Sequence, residues 1–386
     1  MRILIVHNTL WAHYKSVLFH HLAKTARQAS AEVYVIQIAL TEKHRIGLGT
    51  PDQLISDYPH EVLFDSALED ISLLRRAWKL LKRGWAYNPD IITITGYYDP
   101  AQVLLALALK LRGCRIVVQN ESTSVDQARH SWRETLKTWF LDACDGFFCF
   151  GSRAADYLLR LGVRPDRILV SNNAVVDNQR LQAVYAEARL YRAERRREQQ
   201  LKPCNFIYVG RFTEAKNLPM LLQAFAEVSR RSAAAATWGL LLLGDGHQKN
   251  ELQQQAEQLN LSDSVRFIPG QYWYKVPEYL ALADVLVLPS RSEPWGLVVN
   301  EAMACGMPVI VSDRCGCAPD LVRPGENGFV VGVDNPAELI RAMELFINET
   351  VSGPAMGAVS RRLIASYAPE AVAGEMMQEF VKLNGT

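Results

Sequence analysis

Long apolar runs and an excess of charge are both missing from this chain. No apolar stretch approaches the ~20 residues that a membrane-spanning helix needs, and the longest, such as Val103–Leu109, have the size of buried helix segments. The opening run, M-R-I-L-I-V-H-N, is too short for a signal peptide and is interrupted by His7, so we interpret it as a strand. The formal net charge of +1 gives no field that would favour nucleic acid or strongly acidic partners. These absences favour a soluble globular protein, with the cytoplasm as its default location.

The chain also lacks the even number of cysteines that is typical of a disulfide framework. The seven cysteines are an odd number, and Cys149 and Cys305 lie within apolar runs, which is typical of small buried side chains. The segment Cys315-Gly316-Cys317 is open to a metal or redox interpretation, but no second Cys or His pair follows at ligand spacing. We therefore expect free thiols.

What the chain does have is a strict alternation of strand and helix patterns. Its 386 residues suggest two or three domains, and 49% hydrophobic with 22% charged residues is an ordinary globular composition. The alternation predicts parallel sheets with helices on both faces. In the first half, the predicted strands are Ile3–Val6, Glu32–Ile38, Ile91–Thr95, Arg115–Gln119, Gly146–Phe150 and Ile168–Val170. The predicted helices there are Tyr14–Gln28, Ile71–Trp85, Ala101–Leu111, Ser131–Cys144 and Ala154–Leu161.

The second half repeats the alternation. The predicted strands are Asn205–Val209, Gly239–Leu243, Val265–Ile268, Val285–Leu288 and Val309–Val311. The predicted helices are Leu218–Val228, Gln248–Leu259, Val276–Ala281, Ala337–Ile347, Gly353–Ser366 and Ala371–Lys382. We predict an α/β protein with two doubly wound, Rossmann-like domains, residues 1–172 and 205–365. Between them, residues 173–204 form a linker whose long polar helix, Leu181–Gln200, should be exposed or lie across the domain junction.

The most informative segment is Arg291–Glu301, R-S-E-P-W-G-L-V-V-N-E. It follows the buried strand Val285–Leu288 and predicts a polar loop that leads into a helix. Glu293 falls in the loop and Glu301 about one turn into the helix, while Gly296 allows close backbone approach. The helix start turns free N–H groups toward the same space, so an anion cradle lies between two hydroxyl acceptors. The alternative is a solvated surface with favourable placement on the helix dipole.

A second segment, Y-V-G-R-F-T-E-A-K-N, weakens that alternative. Gly210 and Arg211 follow the predicted strand Asn205–Val209, and Lys216 closes the loop before the next helix. The loop is neither a Walker A loop nor a G-x-G-x-x-G turn, but it places a guanidinium and an ammonium where open α/β sheets bind ligands. Alone, both charges would be assigned to the surface. Joined to the two glutamates, the L-G-D-G turn and the F-I-P-G turn, they indicate a site.

As a set, these motifs resemble the retaining glycosyltransferases of family 4, which have the GT-B fold with a cleft between two domains. The resemblance covers roughly residues 205–328, and the first half matches in layout only. It implies that Arg211 and Lys216 hold the donor diphosphate, that Glu293 contacts hydroxyls of the donor sugar, and that Glu301 binds the ribose. It further implies donor contacts from Gly210, from the backbone of Pro269, Gly270 and Gln271 at the base, and from the amides of Trp295, Gly296 and Leu297. Residues 366–386 would form a helix that returns to the first domain.

The acceptor side of such an enzyme would lie in the first half. The loop H-N-T-L-W-A-H-Y-K after the first strand lacks the glycines found in relatives, yet His7, His13 and Lys15 there face the expected ligand edge, unless they are surface residues. Where many relatives carry a His, this chain has Glu121 and Ser122. The remaining acceptor candidates are Tyr97 and Tyr98, whose rings either stack on a sugar or pack against protein.

We therefore expect transfer of a hexose from a nucleotide sugar to a carbohydrate or lipid-linked acceptor. UDP-glucose is the favoured donor and GDP-mannose the alternative. No cofactor and no metal are expected, because no Asp-x-Asp motif flanks the site and Arg211 and Lys216 supply fixed positive charge. A nucleotide-sugar epimerase and a non-catalytic nucleotide-sugar sensor are the rival interpretations.

One helix raises the question of a membrane. The predicted helix Ile71–Trp85 carries Leu74, Trp78, Leu81 and Trp85 along one stripe and is flanked by Arg and Lys. The stripe would suit a peripheral contact with an anionic membrane at its inner face. We favour instead its packing on the sheet, since every doubly wound domain needs apolar helix faces for that purpose.

Overall fold

A computed structural model describes residues 1–10, 12–43, 57–122 and 131–385. The chain divides into two compact units. The first contains Met1–Asp177 together with Ser366–Thr386, and the second contains Asn178–Ala365. Each unit holds one parallel sheet, so the predicted fold class, α/β with two Rossmann-like domains, is confirmed.

The first unit is built on a seven-stranded sheet in the order β3-β2-β1-β4-β5-β6-β7. Its strands are β1 (Arg2–Thr9), β2 (Glu32–Thr41), β3 (His60–Ala67), β4 (Ile91–Thr95), β5 (Arg115–Asn120), β6 (Gly146–Cys149) and β7 (Ile168–Val170). The central strand β1 pairs in parallel with β2 and β4, and its residues Ile3–Val6 are fully buried on both faces. Burial on both faces explains why this strand is a continuous apolar run.

Helices cover both faces of this sheet. They are α1 (His13–Gln28), α2 (Leu73–Tyr87), α3 (Pro100–Lys110), α4 (Ser131–Ala143) and α5 (Ser152–Arg160), and α15 (Pro369–Gly385) from the end of the chain. Helix α15 packs beside α1, and its Phe380 ring meets Phe148 of β6 edge-on at 5.2 Å between centroids. The residues after Ser366 thus complete the core of the first unit.

The second unit has a six-stranded sheet in the order β10-β9-β8-β11-β12-β13. Its strands are β8 (Cys204–Val209), β9 (Trp238–Leu243), β10 (Val265–Ile268), β11 (Val285–Leu288), β12 (Val309–Ser312) and β13 (Gly328–Val331). Its helices are α6 (Asn178–Leu190), α7 (Arg192–Glu198), α8 (Leu218–Arg231), α9 (Lys249–Gln258), α10 (Val276–Leu280), α11 (Leu297–Ala304), α12 (Ala318–Leu321), α13 (Pro336–Ile347) and α14 (Gly353–Ile364).

Each sheet reverses its strand order at one point. In the first unit the reversal lies between β1 and β4, and in the second between β8 and β11. Helices leave the two strands of such a pair in opposite directions, which opens a crevice at the carboxyl ends of the strands. The loops after β8 and β11 carry the two motifs that the sequence singled out.

Two strands escaped the sequence analysis, and both are edge strands. Strand β3 is of mixed polarity and only partly buried, and β13 is a four-residue strand that follows a glycine-containing turn. An edge strand is covered less completely than a central one, so its hydrophobic pattern is weak.

The predicted linker helix differs from the structure. The polar run breaks at Tyr191 into α6 and α7, and both helices belong to the second unit. Arg192 and Arg196 donate to the Asp284 carboxylate at 2.5 and 2.8 Å, and Arg195 pairs with Glu278 at 2.8 Å. The unit boundary lies at Asp177 and Asn178 rather than across residues 173–204, because these arginines tie the polar segment to the second unit.

The favoured interpretation of the α2 stripe is wrong for three of its four members. Leu74, Trp78 and Trp85 are exposed, and Leu81 alone is partly packed against the core. The helix instead turns Leu80 and Gly84 inward against α3. A Cβ at Gly84 would lie 2.6 Å from Cδ1 of Leu105, so a larger residue there would displace the Leu105 side chain.

No helix in the described part of the chain is both long and apolar enough to cross a membrane.

Candidate nucleotide-sugar site

Two glycines join the ends of β8 and β9 at close range. Gly210 has φ 152°, its N–H donates to the Leu243 carbonyl at 3.0 Å, and an added Cβ would lie 2.7 Å from the Tyr208 hydroxyl. Gly244 has φ 153°, and a Cβ there would lie 1.8 Å from the Gly210 carbonyl oxygen. Both positions therefore require glycine, which brings the backbone to the sheet edge without side chains in the way.

The two cations after β8 have different surroundings. Arg211 is exposed, and within the described residues its guanidinium has no carboxylate partner. Lys216 ends a 3₁₀ turn, Glu214–Lys216, that Asn217 closes with φ 56°. Its Nζ lies 2.5 Å from Oε2 of Glu293, and the two side chains are 14% and 16% exposed. The side chain predicted to bind the diphosphate and the side chain predicted to bind the sugar are thus in direct contact.

Backbone hydrogen bonds hold the loops after β8 and β11 together. The Ala215 carbonyl accepts from the N–H groups of Arg291 and Ser292 at 2.7 and 3.3 Å. Glu293 is fixed from the other side, because its carbonyl accepts from the Gly316 N–H at 2.9 Å. A Cβ on Gly316 would lie 1.8 Å from the Pro294 carbonyl oxygen, so that approach also requires glycine.

The start of α11 presents free backbone donors. Gly296 precedes the helix with φ 98°, and no side chain caps it. Within the described residues, the N–H groups of Gly296, Leu297 and Val298 have no acceptor. Unpaired N–H groups at a helix start attract anions. Trp295 turns its side chain inward, where Nε1 donates to Oδ1 of Asn300 at 2.8 Å and fastens the loop to the helix.

Glu301, unlike Glu293, forms no ion pair with a described residue. Its carboxyl is partly buried and has no hydrogen-bond partner in the described part of the chain. Burial raises the pKa of Glu301 to about 8. A carboxyl that has lost water and gained no protein partner is suited to accept hydrogen bonds from a ligand.

The turn after β10 lies on the same edge of the sheet. The Gly270 N–H donates to Oδ2 of Asp245 at 2.7 Å, and Lys249 donates to Oδ1 at 2.6 Å. The hydrogen bond from Lys249 is the main reason that the pKa of Asp245 lies below its usual value. Gln271 donates to the Pro269 carbonyl at 3.1 Å, and the turn is exposed. Asp245 therefore fixes the shape of the Pro269–Gln271 turn and leaves its outer surface open.

Ser290 was not among the residues predicted from the sequence. This residue lies two positions after the end of β11, is fully buried, and its hydroxyl has no partner among the described residues. Its carbonyl accepts from the Ser312 hydroxyl at 2.5 Å, which joins the ends of β11 and β12. The available signal was its position at the end of a strand beside the switch point, but a single small hydroxyl has no distinctive pattern.

The cysteines near this site are free thiols, as predicted. Cys315 and Cys317 are buried, and burial raises the pKa of Cys315 to about 12. Nowhere in the described ranges do three His, Cys, Asp or Glu side chains gather in a group able to hold a metal.

Of the candidate acceptor residues in the first unit, Lys15 lies deeper than expected. It is fully buried, donates to Oε1 of Gln119 at 2.9 Å, and lies 3.5 Å from the Glu121 carboxylate. Burial lowers the pKa of the Lys15 ammonium against the opposing effect of Glu121. Its ammonium also lies 4.7 Å from the centre of the Phe150 ring. Lys15 therefore ties the end of β5 to α1 rather than projecting from the surface. His7 is buried too and bonds to Gln37, while the side chain of His13 lies outside the described part.

A cavity of about 410 Å³ opens at the switch point of the first unit. Among the residues that line it are Asn8, Arg76, Tyr98, Asp99, Gln119, Glu121 and Ser122. The candidate residues Tyr97 and Tyr98 have different positions relative to this cavity. Tyr98 lines the cavity, whereas Tyr97 is partly buried behind it with its ring 4.6 Å away and the Lys137 ammonium over its face. The Gln119 side-chain nitrogen is buried without a partner, so a donor at this cavity is unused by the described protein.

Both units thus place polar and charged side chains at a crevice in a doubly wound sheet, which is where open α/β sheets bind ligands. Comparisons with known proteins agree. A model of the family Glycosyl transferases group 1 matches residues 192–362, and one of Glycosyltransferase Family 4 matches residues 16–179. The chain belongs to the glycosyltransferases of family 4 type, with the GT-B fold, and is an enzyme of that class.

Individual relatives show the breadth of the family. The N-acetyl-alpha-D-glucosaminyl L-malate synthase of Bacillus anthracis is 27% identical over 332 residues, which are 80% of this chain and 82% of that one. A GDP-mannose-dependent alpha-(1-6)-phosphatidylinositol monomannoside mannosyltransferase of Mycolicibacterium smegmatis is 32% identical over 162 residues, 40% of this chain and 41% of the relative. The structure of HepE from Anabaena in complex with UDP superposes with a TM-score of 0.75 at 18% identity, covering 99% of this chain and 100% of that one.

Proposed function

We propose that this glycosyltransferase transfers a hexose, favoured as glucose from UDP-glucose, to a carbohydrate or lipid-linked acceptor, with retention at the anomeric carbon. The observation that carries the proposal is the Lys216–Glu293 pair, which lies in the loops that lead to the uncapped start of α11. This arrangement combines a cation, free N–H donors and a carboxylate, which are the groups that a sugar attached to a diphosphate needs.

Departure of the nucleoside diphosphate is the step that most needs help, because negative charge develops on the leaving oxygen. We assign Lys216, Arg211 and the free N–H groups of Gly296 and Leu297 to that charge. Fixed donors that point at developing charge need no reorganisation during the reaction, and each supplies a few kcal/mol. In this proposal these groups do the work of a metal, so the reaction proceeds without one.

The two carboxylates recognise different parts of the donor. Glu293 is held in place by Lys216 and by the Gly316 hydrogen bond, and we assign it to the hydroxyls of the hexose. Glu301 has no such partner, and we assign it to the ribose, whose hydroxyls satisfy the carboxyl. The Pro269–Gln271 backbone meets the base. When the hexose hydroxyls bind Glu293, they release Lys216 from its ion pair, and Lys216 can then bind the diphosphate.

The acceptor binds at the cavity of the first unit in this proposal. Its lining offers carboxylates at Asp99 and Glu121, a free donor on Gln119 and the exposed ring of Tyr98. Carboxylates that accept hydrogen bonds from hydroxyl groups, beside an aromatic ring on which a sugar can stack, suit a carbohydrate. The alternative donor is GDP-mannose, which the mannosyltransferase among the relatives uses by name.

Two measurements test the identity of the donor and the stereochemistry of the reaction. Thermal shift with UDP-glucose, UDP, GDP-mannose and GDP ranks the nucleotides, and the largest shift should come from UDP-glucose. Proton NMR of the product then reads the anomeric configuration, which should match that of the donor. A donor isomerised without any acceptor would establish an epimerase. Donor binding without release of nucleotide in the presence of any carbohydrate or lipid-linked acceptor would establish a sensor.

A further inference from the structure

A second surface of the first unit has features that glycosyl transfer does not use. Large apolar side chains project outward from two adjacent helices, α2 and α3, and from Leu111 at the end of α3. We call them the tryptophan face, and its members with their exposed fractions are Leu74 82%, Trp78 63%, Trp85 50%, Leu104 48% and Leu111 90%. A soluble protein rarely exposes so many large apolar groups in one place unless something covers them.

The members lie on two elements that pack against each other. Positions 74, 78 and 85 share one side of α2, and the buried Leu80 and Gly84 lie on another. Helix α3 packs directly beside α2, since a Cβ at Gly84 would lie 2.6 Å from Leu105. At the other end, the Arg112 guanidinium lies 4.4 Å from the centre of the Trp85 ring and donates to the Trp85 carbonyl. This contact joins the segment directly after α3, which contains Leu111, to the end of α2.

Cations without carboxylate partners surround this face. In the described structure, Arg75, Lys82 and Arg112 are exposed and contact aromatic rings instead of acids. Arg75 lies over Phe64 at 5.6 Å, and Lys82 lies over Trp78 at 5.2 Å. By contrast, the nearby Arg76 and Arg83 are paired with Asp99 and Glu61. The positive charge of the face is thus unneutralised where the tryptophans are exposed.

We propose that the tryptophan face docks on the surface of an anionic lipid bilayer. Indole rings favour the depth of the lipid headgroups, where their apolar part is buried and their N–H stays wet. Lys and Arg beside them reach the lipid phosphates, and each cation near an anionic surface adds attraction that salt weakens. The charge argues against a second copy of the chain as the occupant, because a symmetric contact would oppose Arg75, Lys82 and Arg112 with themselves.

The same two helices also border the acceptor cavity. Arg76 of α2 and Pro100 at the start of α3 line that cavity. If the cavity binds the acceptor as proposed above, docking through α2 and α3 brings it to the bilayer surface. That consequence rests on the proposed function, whereas the docking itself does not, and vesicle binding measures docking without any turnover.

The test uses the full chain and sedimentation with vesicles of phosphatidylcholine, alone or mixed with phosphatidylglycerol. We expect binding to the mixed vesicles and weak binding to the neutral ones, with loss at high salt. The double variants Trp78→Ser/Trp85→Ser and Arg75→Glu/Lys82→Glu should each reduce partitioning at least tenfold. The matched controls are Leu190→Ser and Arg341→Glu in the second unit, where Leu190 is 78% exposed and Arg341 is exposed, and both should bind like the wild type.

Thermal unfolding checks each variant. If the tryptophan pair unfolds the protein, Leu74→Ser is the replacement, since its side chain is 82% exposed and contributes little to packing. Equal binding to neutral and anionic vesicles, or equal binding of the face variants and the controls, would overturn the proposal. So would a concentration-dependent dimer in light scattering that the face variants abolish, or nucleic-acid binding in place of vesicle binding.

Discussion

Removal of the Lys216 ammonium is the sharpest test of the donor site. Lys216→Ala deletes a charge-assisted contact that is only 14% exposed, and it leaves the Glu293 carboxylate partly buried without its cation. A hydrogen bond to a charged group contributes roughly 1.5–3 kcal/mol. If the ammonium acts on the developing diphosphate, its loss should lower kcat/KM by about 10- to 150-fold.

The chain offers a matched control for this variant. Lys249 forms the same kind of ion pair in the same unit, 2.6 Å from Asp245, but its side chain is 33% exposed and its partner 51%. Because exposed pairs contribute roughly 0–1 kcal/mol, Lys249→Ala should change kcat/KM by only a few fold. Initial rates of UDP release, measured at several donor concentrations, give kcat and KM for both variants.

A double-mutant cycle separates catalysis from structure. Glu293→Gln and Lys216→Ala/Glu293→Gln complete the cycle, and thermal unfolding measures the pair's contribution to stability. If Lys216 only positions Glu293, the double variant should be no slower than Glu293→Gln. A rate for Lys216→Ala equal to that of Lys249→Ala, with both proteins folded, would refute the assignment of Lys216 to the diphosphate.

Three further predictions follow from the same site. Calorimetric titration should show that Glu301→Ala weakens UDP and the full donor alike, whereas Glu293→Ala weakens the donor and spares UDP; equal loss of UDP in both variants would refute the split. Burial raises the pKa of Glu301 from 4.5 to about 8. Between these two pH values the folded chain keeps the carboxyl proton that the unfolded chain releases. The free energy of unfolding should therefore fall as the pH rises from 4.5 to 8. Glu301→Gln should therefore raise the Tm relative to the wild type above pH 8 and leave it nearly unchanged at pH 4.5, and a Tm difference that does not depend on pH would contradict this. Activity should persist after dialysis against EDTA, because Arg211 and Lys216 neutralise the diphosphate; loss that magnesium or manganese restores would reveal a metal requirement.

Much of the architecture could be inferred from local patterns. Strands such as β4 and β11 match their predicted bounds, because a central parallel strand is a short apolar run between polar turns. The candidate donor residues could also be located, since the loops after parallel strands gather at one edge of the sheet whatever the details of packing. Gly296 was predicted to allow close backbone approach, and in the structure both Gly210 and Gly296 have positive φ angles, which glycine tolerates.

The partners of these residues were decided by tertiary structure. Lys216 and Glu293 are 77 positions apart, and no local pattern indicates that one would neutralise the other while Glu301 is left without a partner. Lys15 shows the same limit. Its position after β1 predicts a residue at the ligand edge or on the surface, but the fold buries its ammonium beside Gln119.

Helix α2 shows most clearly what the sequence by itself determines. Its periodicity establishes an amphipathic helix with large apolar residues at positions 74, 78 and 85, but the buried side is the one that carries Leu80 and Gly84. The contact with Leu105 of α3 is so close that even a Cβ at Gly84 would displace the Leu105 side chain, so the space does not suit a tryptophan. Sequence periodicity thus defines the faces of a helix, whereas the space between packed helices decides which face is buried, because dense packing selects residues by shape as well as by hydrophobicity.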